Sequence, residues 1–241
     1  MKRCFAKAAA ALTAALLLLS GCSVLQESKA EKAQGMEKIE ASMKRYNDQQ
    51  SGGYEVYDNT TGELLESFVY SFDEIGFLAY LLETHYDGTD YKEFSTGYEM
   101  YVETDGKGEK LKKSDERFGV YDRELSRNSR TTDSVFGLLD RGITDTQITE
   151  NADGTSTIKY VYSPQEAGLT LEGGKISSYE TEFSLNSSDE VVSVRQKAKG
   201  EYDGGKKYLS DCTIKFIEPD SVGVIENPIT VEEEISDAEE Q

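Results

Sequence analysis

The chain has 241 residues, a formal net charge of −20 and three cysteines. That length suits one domain and buries a sizeable core. So acidic a surface is expected to repel nucleic acid and anionic lipid headgroups. A single histidine, His85, rules out a histidine-rich metal site by count.

The first 22 residues read as an export signal. Lys2, Arg3 and Lys7 form a positive start, and an apolar run follows from Ala8 to Leu19, broken only by Thr13. The run is too short to span a bilayer, which takes roughly 20 apolar residues. It closes in Leu19-Ser20-Gly21-Cys22, small residues before a cleavage point. These four residues resemble the bacterial lipobox. The resemblance implies a signal peptide over 1–21, diacylglycerol on Cys22 as the lipidation site, and cleavage that makes Cys22 the new N-terminus. It also implies a cell-membrane, lipid-anchored protein on the extracytoplasmic face. Two or more acyl chains anchor stably where one is marginal. Cys4 leaves with the signal and Cys22 is acylated, so Cys212 alone remains, expected as a small buried hydrophobe.

Residues 22–30 form the acylated cysteine and a short polar tether. A folded unit is expected over 31–231, and 232–241, with six acids in ten residues, as a disordered acidic tail. Met36, Ile39, Met43 and Tyr46 recur at spacings of three, four and three among charged residues. That spacing predicts an amphipathic helix, closed by Gly52-Gly53.

The period then changes to two. Strands are expected near Tyr54–Tyr57, Leu64–Ile75, Phe77–Tyr86, Tyr91–Glu103 and Lys107–Tyr121, punctuated by Asn59-Thr60-Thr61-Gly62, Asp87-Gly88-Thr89-Asp90 and Asp105-Gly106. A second helix is expected over Thr132–Arg141, stopped by Gly142. Further strands follow at Asp145–Glu150, Ser156–Tyr162, Ile176–Leu185, Glu190–Tyr202 and Lys206–Glu218, with Pro164 to Gly174 a loop or a helical turn. This order predicts an α+β fold: a large curved antiparallel sheet of about ten strands, with two or three helices on its concave face.

In Leu64–Phe72, Leu64, Phe68, Tyr70 and Phe72 share one face. Phe77 to Leu82 is apolar on both faces, which implies cover on both sides or one side lining a cavity. Lys107–Lys113 is charged throughout and suits an exposed edge. The 15 Tyr and 9 Phe, without Trp, favour strands and suit the mouth of a pocket.

This order of elements resembles the LolA superfamily of lipoprotein carriers and its lipid-binding relatives of the LprG and LppX type. The parts that carry it are the helix Met36 to Tyr46, the antiparallel run with Asp-Gly turns, the helical insertion Val135 to Leu139, and the closing segments Phe216-Ile217-Glu218-Pro219 and Ile225-Glu226-Asn227-Pro228-Ile229. The resemblance implies an unclosed barrel and an apolar cavity between sheet and helices for a lipid or acyl chain. The candidate ligand-binding residues are Met36, Ile39 and Met43 on the helix and Phe68, Tyr70, Phe72, Tyr80 and Leu82 on the strands. The alternative is a surface protein-interaction or envelope-sensing module with a packed core, whose partner is an envelope protein. No residue pattern supports catalysis, a metal or a cofactor. His85 has no matched nucleophile motif, and Asp87–Asp90 and Asp153–Ser156 suit hairpin turns better than a Ca²⁺ loop.

Overall fold

The computed structural model describes residues 33–72, 78–118, 133–218 and 220–231. The signal, Cys22, its tether and the acidic tail lie outside the described residues. Three helical segments, α1 (Met36–Asn47), α2 (Asp133–Phe136) and α3 (Pro164–Ala167), accompany eleven strands. The strands are β1 (Ser51–Asp58), β2 (Leu64–Phe72), β3 (Leu78–Tyr86), β4 (Thr89–Ser95), β5 (Met100–Thr104), β6 (Lys107–Lys110), β7 (Ile143–Glu150), β8 (Ser156–Tyr162), β9 (Gly174–Leu185), β10 (Val191–Tyr202) and β11 (Lys207–Ile217). All belong to one sheet in the order β6-β5-β4-β3-β2-β1-β11-β10-β9-β8-β7. Every neighbouring pair is antiparallel. Two meanders thus join where β1 pairs β11, and β6 and β7 are left as the two edges, so the sheet is unclosed. Among the described residues only α1 is longer than about a turn, so the fold is sheet-rich rather than an even α+β mixture.

The count rises from ten strands to eleven because Tyr91–Glu103 is two strands. Thr96 Oγ1 accepts the Glu99 amide at 3.1 Å, Ser95 Oγ accepts the Gly97 amide at 3.0 Å, and Gly97 takes φ +81°. These bonds close a turn that a run of β-formers disguises. The segment after Lys107 is shorter than expected: β6 ends at Lys110. The second helix is also shorter, because Gly137 at φ +60° stops it five residues before Gly142.

Helix α1 defines the inner face of the sheet. It turns Met36, Ile39, Ser42 and Tyr46 inward and keeps Lys44 and Arg45 near its C-terminus, where they complement the helix dipole. The Ser42 hydroxyl accepts the Val191 amide at 3.0 Å, and the Tyr46 hydroxyl donates to the Val191 carbonyl at 3.2 Å. The Tyr160 hydroxyl donates to the Gln34 carbonyl at 2.9 Å, fixing where the chain enters the helix. Segment α2 lies on the same face: Phe136 stacks on Phe216 at 4.5 Å, and Gln196 donates to the Val135 carbonyl. The helices therefore cover the half of the inner face made by β8–β11, over a core that includes Ile39, Tyr46, Phe136, Tyr160, Phe183 and Val194.

Candidate functional site

The other half of the inner face, β2 to β5, has a separate aromatic cluster. Phe68, Tyr70, Leu78, Tyr80 and Leu82 are buried together, with Tyr54, Phe72 and Tyr91 packed at the margin. Register sets this arrangement. Phe68 faces Leu82, Tyr70 faces Tyr80 and Phe72 faces Leu78 across β2–β3. Phe68 lies 5.6 Å from Tyr54 and 5.9 Å from Tyr80 between ring centroids, separations at which tilted rings attract.

The structure thus brings the five strand candidates, Phe68, Tyr70, Phe72, Tyr80 and Leu82, onto one surface. It places the helix candidates elsewhere. Ile39 belongs to the core under α1 and Met43 packs against that core, while Met36 is buried at the start of the helix. The Tyr70 hydroxyl donates to the Tyr46 carbonyl at 3.3 Å and so links the two regions.

Two carboxylates that periodicity analysis passed over sit among these rings. Glu93, only 6% exposed, accepts from the Tyr80 hydroxyl at 2.5 Å and the Tyr91 hydroxyl at 2.6 Å. Glu66 accepts from Tyr54 at 2.8 Å and Tyr86 at 3.3 Å. Burial raises the Glu66 carboxyl above the ordinary carboxylate range, and the two tyrosine donors pull it back only in part. A signal for both was present, since Glu66 and Glu93 lie in phase with Phe68 and Tyr91 along their strands. Charged groups inside an aromatic face are costly unless hydrogen-bonded, and the tyrosines supply those bonds.

The double apolarity of β3 has a concrete cause. Its inner residues Leu78, Tyr80, Leu82 and Thr84 are buried. On the outer face Leu81 lies between Val69 and Phe94, and Phe94 is itself paired with Tyr101. The outer side is therefore a cross-strand apolar row.

Packing beneath α1 is tight at its centre: Ile39, Tyr160, Phe183, Val191 and Val194 have essentially no accessible surface, so no water-sized void opens onto these five. Two shallow clefts flank α1 instead. One is bounded by Lys44, Asp48, Gln49 and Asp220, the other by Lys38, Arg45, Ser188 and Asp189. Both are lined mostly by charged and polar side chains, and the second runs along the seam between α1, where it reaches Ser42, and the β9–β10 turn.

The remaining sequence candidates are placed as follows. His85 Nδ1 lies 2.8 Å from Asp90 Oδ1 at the β3–β4 turn. Cys212 is half-buried in β11, and burial pushes its thiol up to about 11, which makes it a poor nucleophile. Asp153 is held low by hydrogen bonds from Thr155 and closes the β7–β8 turn. Among the described residues, no group of His, Cys, Asp and Glu could hold a metal ion.

No known protein family matches the chain, and no curated protein does. A solved structure is similar. It is the crystal structure of LprF from Mycobacterium bovis, 13% identical, covering 81% of this chain and 97% of that one with a TM-score of 0.43. A likeness of that degree assigns no function.

Proposed function

We propose that this chain is a membrane-anchored extracytoplasmic lipoprotein of LolA-like architecture, held by acyl chains on Cys22, that binds a lipid or other apolar ligand against the β2–β5 half of its inner face. The observation that carries the ligand site is the separation of two inner-face clusters. Both are buried, the one under α1 by the chain's own helix and sheet residues. The other gathers Phe68, Tyr70, Tyr80 and Leu82, with tyrosine–carboxylate pairs alongside. Ligand sites share that composition, a mostly apolar wall with a few placed polar groups. Phe68, Tyr70, Tyr80 and Leu82 are 0–3% exposed, so uptake requires this half of the face to open first. The apparent affinity then falls with the fraction of molecules that are open.

The same closed interior favours a second reading, a tethered module that recognises an envelope protein and carries no ligand. One experiment separates the two. The mature acylated protein is purified, extracted with organic solvent for mass spectrometry, and titrated with a fluorescent fatty-acyl probe. Non-covalent lipid recovered in stoichiometric amount, or saturable probe binding weakened by Tyr80→Ala, supports the carrier. Protein free of non-covalent lipid and indifferent to the probe overturns it and leaves the interaction module.

A further inference from the structure

The outer face of β8–β11 carries a charge opposite to that of the chain as a whole. Register and alternation put Lys159, Lys175, Arg195, Lys197, Lys199, Lys207 and Lys215 on it, against the carboxylates Glu180, Glu182, Glu201 and Asp211. Seven cations over four carboxylates, with Glu55 of β1 facing Lys215 at the margin, give a positive island on a chain of net charge −20, so the remainder is more negative than the total. Depth sharpens this. Asp211 is 12% exposed and bonded by Arg195, which is 45% exposed and lies above it. Lys207 is 80% exposed against 48% for its partner Glu201. Among the described residues Lys175 and Lys199 form no ion pair. Lys215 extends over the Tyr57 ring, its ammonium 4.6 Å from the centroid. Leu209 stands between these cations, 58% exposed and paired with Lys199.

We propose that this face docks on an anionic bilayer surface, the membrane to which Cys22 tethers the chain. The proposal rests on the anchoring assigned above. Charge complementarity selects the occupant: a molecule with a cationic island on an acidic body orients in the field of an anionic surface with the island inward. The tether permits it. Gly35 lies against Ile158 and Ile148 at the β7 side of the inner face. Ten residues, or eleven steps along the chain, separate Cys22 from Ala33. Their contour is roughly 36–40 Å at full extension. That exceeds the roughly 10 Å thickness of a sheet layer, a length sufficient to reach the outer face. The aromatic inner face then points away from the bilayer.

The test uses the mature acylated protein inserted in vesicles of phosphatidylcholine alone or with 30% phosphatidylglycerol. Lysines are acetylated with a water-soluble reagent and mapped by mass spectrometry, with Lys44 and Lys112 as references away from the island. The expected result is at least threefold slower modification of Lys175, Lys199, Lys207 and Lys215 in the anionic vesicles only. It is reversed by 0.5 M NaCl and absent in K199E/K207E. Equal modification in both vesicle types overturns the docking, as does protection that needs no anionic lipid, which would indicate a protein contact. The acyl mass on Cys22, read from the same digest, tests the anchoring separately.

Discussion

Ser42→Ala probes the attachment of α1 to the sheet most cleanly. The Ser42 hydroxyl is the acceptor for the Val191 amide, and Val191 has no exposed surface. The ladder is irregular there, because the β9–β10 register shifts between Val191 and Ser193. Removing the hydroxyl strands a buried N–H, which costs about 1–3 kcal/mol. Deleting the Tyr46 hydroxyl with Tyr46→Phe removes a donor from the carbonyl of the same residue and falls near the ordinary hydrogen-bond value, about 0.5–1.5 kcal/mol. The two substitutions share one residue's backbone, so their combination is expected to be non-additive. The assay is urea denaturation followed by tyrosine emission, which no tryptophan masks. A fall in midpoint at constant m is predicted for both single variants, with Ser42→Ala the larger. A Ser42→Ala protein within about 0.3 kcal/mol of the parent would refute the assignment, since surface substitutions commonly fall in that range.

Four further outcomes are expected. Phe183→Ala empties a fully buried site in the core under α1 and should cost about 3–5 kcal/mol by the same urea assay. Gly53→Ala would place a methyl 2.1 Å from the Phe68 carbonyl oxygen, so β1 and β2 must separate, and expression or midpoint should collapse while Gly62→Ala, with open space around it, does less harm. Glu66 has a raised carboxyl in the folded state. Its favourable contribution is full below the ordinary glutamate value near 4.3 and is lost as pH rises through the folded value, so Glu66→Gln should gain stability over the parent across that window. Equal pH profiles would show that the Glu66 carboxyl is not perturbed. Cys212 should react with a disulfide reagent at pH 8 far more slowly folded than in urea, because its thiol sits near 11.

Much of the fold was legible from period alone. Strands β3 and β8 to β11 lie within a residue or two of their expected positions and β2 begins at the expected Leu64, because their inner faces alternate apart from the shifts in β9–β10. The Asp-Gly turns also hold: Asp87 and Asp105 adopt positive φ before Gly88 and Gly106. The β4–β5 turn was hidden because its serine, threonine and glycine are flanked by the aromatics Phe94 and Tyr98. The aromatic surface was legible as a face, since Phe68, Tyr70, Tyr80 and Leu82 are in phase. The distance between that face and α1 was not. An amphipathic helix states which of its sides is buried but not which strands bury it, and here Ser42 and Tyr46 fasten it to β10. Glu66 and Glu93 were missed because a charged residue in phase with an apolar face is ordinarily taken for a break in the pattern. The partners that make them tolerable, Tyr54 and Tyr86 for one and Tyr80 and Tyr91 for the other, come largely from neighbouring strands.

Photocrosslinking with a diazirine-bearing fatty acid, mapped by peptide mass spectrometry on the mature acylated protein, examines the ligand assignment most directly. Adducts on β2 and β3 at Phe68, Tyr70, Tyr80 or Leu82, competed away by unlabelled fatty acid, are the predicted result. Adducts confined to α1 and β8–β10, or none above a denatured control, would contradict it.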